Sequence, residues 1–202
     1  STNRAPRKTT DGKPGEEREL KIILKVLADV GLVGLPNVGK SSILASISMA
    51  TPKIANYAFT TIHPNLGVVL INDYEKFVVA DLPGLIVGAS TGAGLGIQFL
   101  KHISRTKLLL NVVDISTNNI DKALQDVDVI TKELEDYDED LGKKDKWYIF
   151  NKIDLLDEKE LEMLKKSVNN KIKKNVFFVS AKEKAGLDEV CENIIEYLRD
   201  LQ

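Results

Sequence analysis

The sequence predicts an α/β fold in which a mainly parallel β-sheet lies between two layers of helices. Short apolar runs that suit buried strands alternate with longer segments of helical periodicity, an order that is typical of right-handed β–α–β crossovers. The chain has 202 residues, of which 43% are hydrophobic and 29% are charged, as in an ordinary globular domain. We therefore expect a packed three-layer sandwich.

The predicted elements follow one another from residue 29. The run 29–34 is short, mostly apolar and ends at a glycine, which suits a buried strand that feeds a turn. A segment of helical spacing, 41–49, comes soon after that turn. The patterns predict further strands at 66–71, 77–80, 108–113, 147–150 and 175–179, and further helices at 120–134, 158–166 and 187–201.

The first 19 residues differ from the rest because they contain prolines and glycines and show no apolar periodicity. Such a segment is typical of a linker or an extended arm. Its start is basic, which leaves open a contact with RNA or phosphate, although the composition favours a solvated linker. The chain begins at Ser1 rather than at Met, so we expect it to be a piece of a longer protein.

Charge and cysteine content exclude several classes of protein. The net charge of −2 gives no overall basic field that would attract nucleic acid, so any such contact has to be local. Cys191 is the only cysteine, which excludes an intrachain disulfide and favours a reducing, cytoplasmic compartment. We expect no membrane span, since no apolar run reaches the roughly 18 residues that one needs.

The segment 34–41, GLPNVGKS, matches the phosphate-binding pattern G-x-x-x-x-G-K-[ST] between a predicted strand and a predicted helix. Backbone N–H groups of such a loop form an anion nest, and the helix N-terminus adds partial positive charge. Lys40 would reach the β- and γ-phosphates, and the Ser41 hydroxyl would bind Mg²⁺. The fold is therefore predicted to be that of a P-loop NTPase. The residues expected to line this cradle are Gly34, Leu35, Pro36, Asn37, Val38, Gly39, Lys40, Ser41 and Ser42.

A second motif, D-x-x-G at 81–84, closes the predicted strand 77–80. Asp81 would hold Mg²⁺ through water, and Gly84 would offer its N–H to the γ-phosphate. The pattern is short and common in turns, so its value comes from lying downstream of the phosphate cradle.

Two further loops follow predicted strands and are expected to recognise the base. Asp154 of the N-K-x-D motif can accept both the N1–H and the 2-amino group of guanine, a pair of donors that adenine does not present. Asn151 would tie this loop back to the cradle, and the stem of Lys152 would cover the base. Backbone N–H groups of Ser180, Ala181 and Lys182 would hold the guanine O6.

These motifs, in this order, resemble the translation-factor-type GTPases, and more narrowly the G domain of the Obg family. One departure is Val87, where that family usually has glutamate. The resemblance covers nearly the whole chain and rests on GLPNVGKS at 34–41, on Phe59, Thr60 and Thr61 followed by PNLG at 64–67, on DLPGLI at 81–86, and on the glycine-rich stretch 88–96.

The resemblance implies a domain division and a function. Residues 1–26 would be the exit segment of an N-terminal domain, and residues 27–202 would be an Obg-type G domain. The domain would hydrolyse GTP to GDP and phosphate with Mg²⁺, and its partner would be the large ribosomal subunit with its rRNA, in assembly or its control. We expect a monomer.

The resemblance also implies individual roles. Thr61 would bind Mg²⁺ only when the γ-phosphate is present, with Phe59 and Thr60 beside it at the nucleotide. Asn37 would help to hold K⁺ near the phosphates, or would only brace its own loop. Leu85 stands where many small GTPases place a water-orienting glutamine, so we expect slow hydrolysis. The residues expected to take part in catalysis are Lys40, Asn37, Thr61 and Gly84.

Other functions stay open. One alternative is that hydrolysis serves as a timer, and the other is a GTPase of a neighbouring translation-factor-type subfamily that acts mainly as a nucleotide-gated docking module. An ATPase or a nucleotide kinase is opposed by the motif at 151–154.

Overall fold

The computed structural model describes residues 28–54, 64–81, 106–173 and 175–201, together with positions 12, 15 and 17. Within these ranges seven strands form one sheet in the order β2-β3-β4-β1-β5-β6-β7. The strands are β1 (Val30–Val33), β2 (Lys53–Ile54), β3 (Asn65–Leu70), β4 (Lys76–Asp81), β5 (Leu108–Asp114), β6 (Lys146–Asn151) and β7 (Val176–Val179). The helices are α1 (Lys40–Ile47), α2 (Ile120–Tyr137), α3 (Glu139–Lys143), α4 (Glu158–Lys171) and α5 (Leu187–Asp200), with a 3₁₀ turn at Ile153–Leu155.

Parallel pairing dominates the sheet. β1 pairs in parallel with β4 and β5, and β6 and β7 continue the parallel order. β3 runs antiparallel to β4 because a short turn at 71–75 joins the two strands, and β2 pairs antiparallel with β3 at the edge of the sheet. The carboxyl ends of five parallel strands therefore lie along one edge, which is where open α/β sheets bind ligands.

Helices cover both faces of the central strand β5, whose side chains are buried except at its last residue. Leu110 and Val112 pack in one cluster with α1 and α5, through residues such as Ile43 and Ile194. Leu109 and Val113 belong to clusters on the opposite face, which contain residues of α2, α3 and α4. The predicted α/β sandwich with a mainly parallel sheet is confirmed.

The structure extends some predicted elements and adds others. α4 runs to Lys171 rather than to residue 166, because Val168 is buried one turn after Leu164. α2 likewise continues to Tyr137. The short α3 was not predicted; its N-terminus is capped by the Asp138 side chain, which accepts from the N–H groups of Asp140 and Leu141. β2 and the 3₁₀ turn were also not predicted.

The predicted division at residue 26 stays a prediction, because the described part of the first 27 residues consists of three isolated positions.

Candidate functional site

The loop between β1 and α1 curves through left-handed backbone at Gly34 (φ 147°), Asn37 (φ 63°) and Gly39 (φ 100°). A Cβ on Gly34 would overlap the carbonyl oxygen of Val112, and a Cβ on Gly39 would overlap the side-chain amide of Asn151. Both glycines are thus required by backbone conformation and by close neighbours. The residues predicted to form a phosphate cradle lie in a tight turn at the carboxyl edge of the sheet.

Lys40 begins α1 and is 8% exposed. Its Nζ donates to the carbonyl oxygens of Gly34 and Leu35, both at 2.9 Å. Burial lowers the pKa of this ammonium, and the nearby negative charge of Asp81 opposes the shift. The ammonium is held against the turn, where a bound anion would offset the cost of burying its positive charge.

Ser41, in the first turn of α1, meets Asp81 at the carboxyl end of β4. The Ser41 hydroxyl donates to Oδ2 of Asp81. Asp81 is 2% exposed, and none of the described residues provides a hydrogen bond to its buried Oδ1. A buried carboxylate oxygen beside a serine hydroxyl fits the all-oxygen ligand set that Mg²⁺ prefers.

The side chain of Asn151, at the end of β6, connects two loops. Its Nδ2 donates to the carbonyl oxygen of Val38 at 2.9 Å, and its Oδ1 accepts from the N–H of Ala181 at 3.0 Å. Asn151 is 2% exposed, so both bonds are shielded from water. The loop at 180–182 is also held to α1, because the Ser46 hydroxyl donates to the carbonyl oxygen of Ala181 at 2.8 Å.

Asp154 lies in the 3₁₀ turn and faces the same region. The Ser180 hydroxyl donates to its Oδ1 at 2.6 Å, and the Nζ of Lys182 lies 3.9 Å from its Oδ2. The side chain of Asp154 is 12% exposed. Asp154 and Lys182 border a cleft of about 390 Å³, together with Gly39, Ser42 and Leu155.

Lys152 has left-handed backbone (φ 75°) and points its side chain toward the phosphate turn. Its Nζ donates to the carbonyl oxygen of Asn37 at 3.2 Å and to Oδ2 of Asp114. Asp114 was not singled out from the sequence. The available signal was its position as the last residue of an apolar central strand, at the edge where the other motifs end.

The structure thus brings together the predicted residues of three loops. Within the turn at 34–41, Pro36 and Asn37 are exposed, and Val38 is buried. Four predicted site residues lie outside the described ranges: Phe59, Thr60, Thr61 and Gly84.

The arrangement combines two kinds of recognition. A left-handed turn with a buried ammonium at a helix N-terminus can receive a chain of phosphates. A carboxylate on the wall of an adjoining cleft can pair with a base that offers hydrogen-bond donors.

Among the helices that the structure describes, none has both the length and the apolar character to cross a bilayer.

Three solved structures share this architecture. A Plasmodium falciparum chain named for nucleolar GTP-binding protein 1 is 21% identical over 90% of this chain and 91% of its own, with a TM-score of 0.63. The G domain of the T. maritima FeoB iron transporter is 22% identical over 84% of this chain and 97% of its own, with a TM-score of 0.62. These two likenesses show the fold.

A point variant of Aquifex aeolicus Era, bound to GDP and AlF₄⁻, is 26% identical, with a TM-score of 0.60. The match covers 86% of this chain but 57% of the Era chain, so this chain spans just over half of that relative. The model of the 50S ribosome-binding GTPase family matches residues 29–152, which is more than half of the chain. The chain belongs to the 50S ribosome-binding GTPase family, and the domain described here is a GTP-binding GTPase domain.

Proposed function

We propose that this chain is an Obg-type guanine-nucleotide switch that hydrolyses GTP slowly with Mg²⁺ and acts on the large ribosomal subunit, in its assembly or its control. The observation that carries the proposal is the Asn151 side chain, which bonds to the phosphate turn at Val38 and to the loop at Ala181. Because one side chain holds the two loops together, a single ligand can contact both of them.

The proposed division of the ligand follows from the two kinds of recognition. Residues 34–42 would hold the phosphates. The Lys40 ammonium would leave the carbonyl oxygens of Gly34 and Leu35 and donate to phosphate oxygens instead. Asp154 would accept from the N1–H and 2-amino groups of guanine, and the stem of Lys152 would cover the ring.

The guanine O6 needs a backbone donor from the loop at 180–182. Ala181 already donates its N–H to Asn151, so in this arrangement it braces the site. Ser180 likewise donates its N–H to the carbonyl oxygen of Ala185 at 3.0 Å, so the N–H of Lys182 is the candidate for the guanine O6.

Mg²⁺ fits the pair formed by Ser41 and Asp81, given the buried Oδ1 that no described residue bonds. When bound, the ion would neutralise charge that develops between the β- and γ-phosphates. Ser41 would bind it directly, Asp81 would hold it through water, and Thr61 would join when GTP is present.

The hydrolytic step would rest on Lys40, Asn37, Thr61 and Gly84. Lys40 and the N–H of Gly84 would neutralise charge on the γ-phosphate, and Asn37 would help to hold K⁺. Leu85 cannot orient a water by hydrogen bonding, so unassisted turnover is expected on the order of 10⁻⁴ s⁻¹. A partner or a monovalent cation would supply the remaining stabilisation.

The family supports a ribosomal partner, and the motifs quoted above support the Obg subfamily with residues 27–202 as its G domain. A second function, a nucleotide-gated docking module whose turnover matters little, uses the same site. The two differ in whether the partner accelerates hydrolysis.

The test is sedimentation with purified large ribosomal subunits in the presence of GDP or a non-hydrolysable GTP analogue, with small subunits as the matched control. Single-turnover hydrolysis is then measured with and without large subunits, in K⁺ and in Na⁺. The proposal predicts tighter binding with the GTP analogue and at least tenfold faster hydrolysis with large subunits and K⁺. Equal binding in both nucleotides and to both subunits would contradict it, whereas gated binding without acceleration would favour the docking module.

A further inference from the structure

Lys152 occupies a junction between the two halves of the proposed site. Its backbone is left-handed, and its ammonium lies 3.2 Å from the carbonyl oxygen of Asn37 in the phosphate turn. Lysine has a flexible four-carbon stem, so an ammonium in one fixed place needs an anchor. The side chain is about one-third exposed, at 31%, which makes the anchor more necessary because water competes for the ammonium.

Asp114 provides that anchor. Its Oδ2 lies 2.5 Å from the Nζ of Lys152. Its Oδ1 accepts from the N–H of Ser116 at 2.8 Å, which fixes the orientation of the carboxylate. Asp114 ends β5 directly opposite Asn151 in β6, so the sheet register sets its distance from the residue that precedes Lys152.

The charge of Asp114 is maintained in this setting. Partial burial acts to raise the pKa of the carboxyl, but the hydrogen bonds from Lys152 and Ser116 outweigh it and leave the pKa below its ordinary value. The carboxylate is therefore ionised at neutral pH, and its bond to the ammonium is charge-assisted.

We propose that Asp114 is a positioning residue for nucleotide retention, which holds the Lys152 ammonium against Asn37 and so fastens the base-side loop to the phosphate turn. The inference rests on the proposed function, because it takes the cleft beside Lys152 as the base site. A fastening of this kind acts mainly on the rate at which nucleotide leaves, since the two loops have to separate for release.

The matched control is Asp29, which makes the same kinds of contact at the opposite end of the sheet. Its carboxylate accepts from the N–H of Val78 at 3.0 Å and pairs with the Nζ of Lys107 at 3.1 Å. Its side chain is 23% exposed, against 27% for Asp114. Asp29→Ala therefore shows how the loss of a carboxylate with a purely structural role affects the release rate.

The experiment is stopped-flow release of a fluorescent GDP from the full chain with Mg²⁺, for Asp114→Ala, Asp114→Asn, Asp114→Glu and Asp29→Ala. We expect Asp114→Ala to speed release about tenfold, which is the loss of one charge-assisted bond, with little change in the association rate. Asp114→Asn keeps an acceptor for Ser116 and is expected to show most of the same effect, whereas Asp114→Glu restores part of the retention. Asp29→Ala should release GDP at the wild-type rate.

A double variant separates positioning from general loosening of the fold. In a Lys152→Met background, Asp114→Ala should change the release rate less than twofold, because the carboxylate has lost its target. Equal release rates for Asp114→Ala and Asp29→Ala, or full additivity with Lys152→Met, would overturn the inference. Failure of the base site itself has a different signature, an unchanged base preference in Asp154→Asn, so the two outcomes are distinguishable.

Discussion

The side-chain amide of Asn151 donates to the carbonyl oxygen of Val38 at 2.9 Å and joins residues that are 113 positions apart in the chain. The same side chain accepts from the N–H of Ala181, so one buried group holds the phosphate turn and the loop after β7 together. Both contacts are made within the protein itself, so Asn151 has a structural role in addition to any role in ligand binding. Stability and nucleotide binding are therefore expected to depend on the same side chain.

Asn151→Ala should lower both the free energy of unfolding and the affinity for GDP. Removal of the amide leaves a buried carbonyl oxygen at Val38 and a buried N–H at Ala181 without partners, at a cost of about 1–3 kcal/mol for each group. Urea unfolding of the nucleotide-free protein measures the first effect, and calorimetric titration with GDP measures the second. Asn193→Ala is the control, since its exposed amide donates to the carbonyl oxygen of Glu189 at 2.8 Å away from the site. Similar losses in the two variants would contradict the bridging role.

Gly39→Ala should abolish measurable nucleotide binding. The new Cβ would overlap the Asn151 amide, and the backbone φ of 100° disfavours any side chain. The phosphate turn would have to open to accept the methyl group. Gly15→Ala is the control, because a Cβ at Gly15 meets no atom within 4 Å. Equilibrium binding of fluorescent GDP measures both, and retained binding by Gly39→Ala would show that the turn does not need this geometry.

Removal of Mg²⁺ with a chelator should speed release of GDP, and Asp81→Ala should weaken that dependence. The buried Oδ1 of Asp81 has no hydrogen bond from the described residues, and an ion held through water would satisfy it. A charge-assisted contact is worth about 1.5–3 kcal/mol, so we expect at least tenfold faster release from wild type in the chelator. If the chelator accelerates release from Asp81→Ala as much as from wild type, Asp81 does not hold the ion.

Stability should fall at alkaline pH through Cys191. Burial, aided by the charges of Asp188 and Glu192, raises the pKa of this thiol to about 12. An unfolded thiol ionises near pH 8.5. The contribution is therefore fully present below about pH 8.5 and is lost as the pH rises toward 12, at up to about 1.4 kcal/mol per pH unit. Urea unfolding between pH 8 and pH 10.5 should show this slope in wild type and a shallower one in Cys191→Ala; identical slopes would assign the loss to other groups.

The sequence predicted the parallel core because its central strands are continuous apolar runs and its helices are amphipathic. The motifs at 34–41 and 151–154 could be placed at the same sheet edge for the same reason, since each follows a parallel strand. Elements with few apolar residues were missed: α3 buries Leu141, and β2 has two residues. The strands predicted from short apolar runs agree with the structure to within one or two positions.

The sequence places Asp114 at the end of a predicted strand but does not show what its carboxylate contacts. Its role depends on the register between β5 and β6 and on the left-handed backbone of Lys152, and neither follows from residue type. Thr61 and Gly84, by contrast, were predicted from motifs and lie outside the described ranges, so their roles stay predictions.

The most direct test of the central claim is a competition between GTP, XTP and ATP for wild type and Asp154→Asn. Asp154 accepts a hydrogen bond from Ser180 and borders the cleft next to the phosphate turn, which is where the purine is expected to lie. Wild type should prefer GTP, and the substitution of a donor for an acceptor should shift preference toward XTP, with ATP weak in both. An unchanged preference in Asp154→Asn would contradict the account, because the base would then lie elsewhere.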